Sequence, residues 1–153
     1  MTAPNELENS SRRDSLLRKL KNLHETNSKA PPVVELDEYF IGNTDEESIA
    51  PNAWGDGRPT ISEIYRVFSA IRARPDVSAV LVGLHFDWAD AERFGGWPAA
   101  ENVHIFSSSS VAEAETWVNT LMTDGILEGW PYGEHPSTPK PRAGHKVLTV
   151  CWD

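Results

Sequence analysis

The chain has 153 residues, with 14 Lys and Arg against 23 Asp and Glu, for a formal net charge of −9. That balance argues against nucleic acid and anionic membranes as partners, because both are gripped by clustered Lys and Arg, and it suits a basic protein surface reached by electrostatic steering. The single cysteine, Cys151, excludes an internal disulfide; no early apolar run resembles a signal peptide and none nears the roughly 20 residues of a membrane span, so a cytoplasmic protein is expected.

Residues 1–9 are polar and expected to fray. From Ser10 or Ser11 to His24, Leu16, Leu17, Leu20 and Leu23 form an apolar helical stripe, and Asn27 to Pro32 is a linker in which the Pro pair forbids helix. Residues 1–30 thus read as a tail and helix, and 31–153 as a single α+β domain. Val33 to Ile41 reads as a strand or a strand leading into a turn, and Gly42 to Arg58, containing GNTDEES and PNAWGDG, as a long loop of the kind that often carries function. The segment 60–87, TISEIYRVFSAIRARPDVSAVLVGLHFD, organises the rest. Thr60 and Glu63 have capping-box spacing, and Ile61, Ile64, Phe68 and Ile71 fall on one helical face. Pro75 ends the helix. Val77 to Phe86 is apolar on both faces, as in a central strand.

Asp87 to Ala100 is irregular, and Val103 to Ser107 is a short strand. Ser110 and Glu113 repeat the capping-box spacing before a helical face running from Val111 to Met122, which Asp124-Gly125 ends. Residues 128–145 form a Pro-rich loop, and Lys146 to Trp152 closes the chain as a strand. The order predicts an α+β fold, an antiparallel sheet with helices on one face. Its β-α-β-β-α-β succession is that of ferredoxin-like domains, with an added N-terminal helix.

No catalytic motif stands out. His85, Asp87, Asp90 and His104 form a candidate metal cluster if the strands that carry or flank them pair, since imidazole and carboxylate are ordinary ligands for zinc or iron, but their spacing matches no signature. Cys151 with His145 is a nucleophile and base only on paper, because a lone cysteine in a terminal strand usually fills space. The charge distribution is more informative. Residues 33–56 hold seven acids and residues 101–130 five, with no Lys or Arg in either, whereas the first thirty residues lean basic. Trp54, Trp88, Trp97 and Trp130 all fall in expected loops, Trp54, Trp97 and Trp130 beside Gly or Pro. Tryptophan near carboxylates suits a protein-binding surface: the ring supplies area and the acids select a basic partner.

The runs ELDEYFIGNTDEESIAPN (35–52) and IRARPDVSAVLV (71–82), with the ending EGWPYG…VCWD, resemble small acidic bacterial immunity proteins of polymorphic toxin systems. The likeness spans residues 33–153 and departs at Cys151, where the similar endings carry an aromatic. It implies a protein that binds a cognate toxin domain and occludes its active site, with no catalytic residues, metal or cofactor. On this reading Asp37, Glu38, Asp45, Glu46, Glu47, Trp54 and Asp56 form the acidic contact surface, flanked by Trp88, Trp97, Trp130 and Tyr132. Reversing Asp45, Glu46 and Glu47 to Lys is expected to weaken binding without unfolding the domain. The alternative is a small metal-dependent hydrolase using His85, Asp87 and His104.

Overall fold

Pro4, which has no N–H to lose, opens the first helix, α1 (Pro4–Thr26). The computed structural model describes residues 4–51, 53 and 55–152, with side chains from residue 6. The helix therefore starts well before Ser10, and the described part of the segment expected to fray, from Pro4 to Asn9, is helical. Its leucines pack as the stripe foretold: Leu16, Leu17 and Leu20 belong to the main core, with Leu23 against it.

The expected first strand divides in two. Only β1 (Val33–Glu35) is extended, and α2 (Leu36–Phe40) follows at once. Glu38 accepts the Glu35 backbone N–H at 2.9 Å, closing a capping box. Leu36, Tyr39 and Phe40, at steps of three and four, are the buried residues of α2. The helical period was present in the sequence, and the alternation read there was not.

Helix α3 (Ile61–Arg72) forms as expected: the Thr60 hydroxyl accepts the Glu63 N–H, and Ile61, Ile64, Phe68 and Ile71 are buried. β2 (Val77–Leu84) follows. The irregular stretch after it holds a single helical turn, α4 (Asp90–Phe94), and β3 begins earlier than expected, at Ala100, and runs to Ser107 with every residue buried. Helix α5 (Val111–Trp117), capped by Ser110, stops five residues short of Met122. The Thr116 hydroxyl bonds back to the Glu113 carbonyl at 2.6 Å, and Met122 takes φ 55°, a left-handed conformation that ends helices. Val118 and Leu121 still reach the core. A strand not foreseen, β4 (Ile126–Glu128), pairs with β5 (Lys146–Cys151).

The five strands form one open antiparallel sheet in the order β1-β2-β3-β5-β4. The fold is α+β with an N-terminal helix, but the ferredoxin-like order is not confirmed. A split βαβ unit keeps two parallel strands apart with a third between them. Here β1 lies directly beside β2 and antiparallel to it. All helical core residues lie on one face of the sheet, with Val80, Val82, Leu84, Val103, Ile105, Leu148 and Val150. The other face is a smaller cluster of Val33, Leu81, Phe106 and Val147 under Trp130. β2 thus contributes to both layers, as its two apolar faces required. The 129–145 loop covering the second layer is tied to α1 through buried His135, whose Nε2 donates to the Leu23 carbonyl at 2.9 Å.

Candidate functional site

The described residues between 42 and 58 are irregular in backbone but held by a dense set of bonds. Arg58 is the hub. Its guanidinium donates to the carbonyls of Glu46 at 2.7 Å, Ala50 at 2.9 Å, Ile49 at 3.0 Å, and also Ala53. Five donors in a rigid fork suit this task, and a lysine could not reproduce it. The segment also joins the sheet by an isolated parallel bridge between Ile49 and Ala100. Ala50 donates to the Ala100 carbonyl, and Ala100 to the Ser48 carbonyl, both at 2.9 Å.

The acids expected to face a partner divide into two groups. Asp45 and Glu46 serve the fold. Asp45 accepts the backbone N–H of Trp97 at 3.0 Å and of Glu47 at 3.1 Å. Glu46 accepts the Ile61 N–H at 2.9 Å, placing a carboxylate at the positive end of α3. Asp37 and Glu38 stand on α2, not on an extended strand. The Tyr65 hydroxyl donates to Asp37 at 2.7 Å and Arg72 at 2.9 Å; these bonds, the tyrosine's first, hold its carboxyl below the ordinary range despite partial burial. Glu38 is held by Lys19 at 2.6 Å. Glu47 and Asp56 are exposed, and their carboxylates have no partner among the described residues. Reversing Asp45 or Glu46 would therefore damage the loop itself, contrary to the expectation that all three reversals leave the fold intact.

The aromatic expectations need correction too. Trp88 and Trp97 are 5% and 6% exposed, so both roof the core and neither presents a ring to a partner. Trp130 is half-buried, its ring 4.4 Å from that of His104 and edge-on to Phe106. Trp54 lies outside the described residues. Tyr132 is outward-facing, edge-to-face with Phe86 at 6.0 Å, and Phe86 is 54% exposed. Phe86 was missed because it ends an apolar run and reads as core; the charged and irregular residues after it were the available signal.

The hydrolase set is divided. His85 accepts the Asp87 backbone N–H through Nδ1 at 2.9 Å, and its Nε2 lies 3.7 Å from Glu101. His104 is engaged elsewhere: its Nδ1 lies 2.7 Å from the Thr149 hydroxyl, which itself donates to the Gly129 carbonyl. Nδ1 must therefore carry the proton. Burial drives the His104 pKa down to about 3, so the ring is neutral near pH 7. Among the described residues, no three of His, Cys, Asp and Glu converge as a metal site would need. His145 and Cys151 flank opposite ends of β5; His145 bonds to Ser78 at 3.0 Å, and Cys151 is buried. The serines at 107, 109 and 110 are structural, two bonding to Asp76 and one capping α5.

No helix is long and apolar enough to cross a membrane among the described residues. No curated protein and no solved structure matches the chain, and nothing in these comparisons points to immunity proteins of polymorphic toxin systems. One family does match, over residues 11–150, a span that takes in α1 from Ser11 on, β1 to β4, β5 up to Val150 and the Arg58-centred loop: the chain belongs to the Uncharacterized protein YfbO family.

Proposed function

We propose that the protein is a non-enzymatic binder of a basic protein partner, acting as an immunity protein that occludes a toxin domain. One observation carries the reading. Ala100 pairs with Leu84 on one side and bridges to Ile49 on the other, so two acid-bearing irregular segments, 42–58 and 85–99, emerge at the same end of the sheet. Glu47 and Asp56 on the first and Asp87 on the second are exposed, and exposed Phe86, next to Asp87 in the chain, offers aromatic area together with Tyr132. An ordered loop that costs this many backbone bonds to hold is suited to rigid recognition. The contact set is thus Glu47, Asp56, Phe86, Asp87 and Tyr132, without the buried Trp88 and Trp97. The test is growth rescue. A toxin domain encoded beside this chain should arrest cells when expressed alone and spare them when this chain is co-expressed. Rescue should fail with Glu47→Lys/Asp56→Lys. Rescue by the variant as complete as by the wild type would contradict the placement, and the lack of any rescue by the wild type would contradict the function.

A further inference from the structure

A groove enclosing about 240 Å³ runs between α3 and α5, lined by Arg66, Val67, Ala70, Ile71, Arg74 and Trp117. Its floor is apolar: Ile71 belongs to the main core, Val67 and Trp117 pack against it, and Ala70 is exposed. Two arginines form the walls. The Arg74 guanidinium lies over the Trp117 ring, 4.0 Å from its centroid, in cation–π contact. Its Nε and Nη2 donate to Asp76 at 3.0 and 3.2 Å, and Glu113 stands 3.7 Å from Nη2. These two acids hold the fork and offset its charge, but Nη1 donates to none of the described residues. Arg66 is exposed, and its guanidinium makes no hydrogen bond or ion pair to the described residues.

The charge here runs against that of the whole molecule. From Ile61 to Arg74 there are three arginines and one acid, Glu63, in a chain of net charge −9. Arg72 is engaged by Asp37, which leaves Arg66 and Arg74 Nη1 as the open donors. A guanidinium fork matches a carboxylate, and cations beside an aromatic floor complement an acid beside an apolar side chain. About 240 Å³ is less than the roughly 300–1,000 Å³ of sites that enclose a small molecule, and suits one anchoring side chain of a larger partner. The groove also stands clear of the acidic end. Asp76 directly precedes β2, whose Val77 pairs with Ser107, whereas the segments 42–58 and 85–99 emerge at the Leu84 and Ala100 end of the sheet.

We infer that this groove docks an acidic peptide segment of a partner protein, with one large apolar side chain over Val67, Ala70 and Trp117 and its neighbouring carboxylates on Arg66 and Arg74 Nη1. The inference is independent of the toxin reading. The probe is a phage-displayed library of random dodecapeptides panned over the intact chain. Enriched peptides should place Asp or Glu beside Leu, Ile, Phe or Trp. Once synthesised, they should saturably move the Trp117 indole signal of a proton–nitrogen correlation spectrum, assigned with Trp117→Phe. They should bind at least about tenfold more weakly to Arg66→Glu, as loss of a charged hydrogen bond requires. Ala70→Glu, which sets a carboxylate in the floor, should weaken them as much. Arg66 and Ala70 are exposed positions of α3, so both variants should remain folded, which unchanged signals from the other indoles would show. Panning that enriches no peptide sensitive to Arg66→Glu, or enriched peptides that lack acids or leave the Trp117 signal in place, would overturn the inference.

Discussion

His104 sits where a charge cannot be accommodated, against the Trp130 ring, the Thr149 hydroxyl and the Cα of Gly83. Its folded pKa of about 3 lies below the unfolded value of 6.5. The unfolded state therefore takes up the proton first, and the stability tied to the neutral ring is complete above the unfolded value and is lost as pH falls below it. Between pH 7 and pH 5 this group alone should remove about 2 kcal/mol of unfolding free energy. Urea titrations at the two pH values should show that loss, and His104→Gln should flatten it. Gly83 belongs to the same arrangement: a Cβ there would meet His104 Nε2 at 2.6 Å. Gly83→Ala should destabilise by about 1–3 kcal/mol, from overpacking in a close-packed layer, as a lowered denaturant midpoint would report. Asp37 has the same sign of pH dependence in a lower window. Its carboxyl is held below the ordinary 3.8, so its contribution is present above that value and lost as pH falls through the lower folded one, a dependence that Asp37→Asn should remove from the acid limb.

At the scale of elements, the loop from Gly42 to Arg58 depends on one side chain. Arg58 donates to four carbonyls of the loop, of which that of Ala50 also accepts the Ala53 N–H. Its replacement by Met should cost at least about 3 kcal/mol, since each charged hydrogen bond contributes about 1.5–3 kcal/mol. Lys should restore little of that, because it lacks the fork. Amide exchange at Ala50 and Ala100, the two ends of the sheet bridge, should accelerate in both variants. The sequence was legible where a single period was strong. Thr60 to Arg72 and the strand after Pro75 were readable because capping, spacing and breaker agreed. α2 was misread because Tyr39-Phe40 looked like strand material, although Leu36, Tyr39 and Phe40 are spaced for a helix. β4 was invisible because three residues carry no period. The site was least legible, because the bonds that separate structural from outward-facing acids join Asp45 to Trp97 and Glu46 to Ile61, partners far apart in the chain that no local pattern announces.

For the molecule as a whole, the topology gathers what composition could only count. A net charge of −9 does not say where the acids face. Much of the acidity of residues 33–56 is consumed by caps and ion pairs, and the proposed contact surface comes from the few carboxylates left over at one end of the sheet. A surface of that kind raises association rate more than it deepens affinity, and salt should weaken it. The most direct measurement is the association rate of the intact chain with the toxin domain proposed as its partner, at low and at physiological salt, for the wild type and Glu47→Lys/Asp56→Lys. The wild-type rate should fall with salt, and the double variant should bind at least about tenfold more slowly at low salt while melting like the wild type. A rate that ignores both salt and the reversal would contradict a negative surface as the means of recognition.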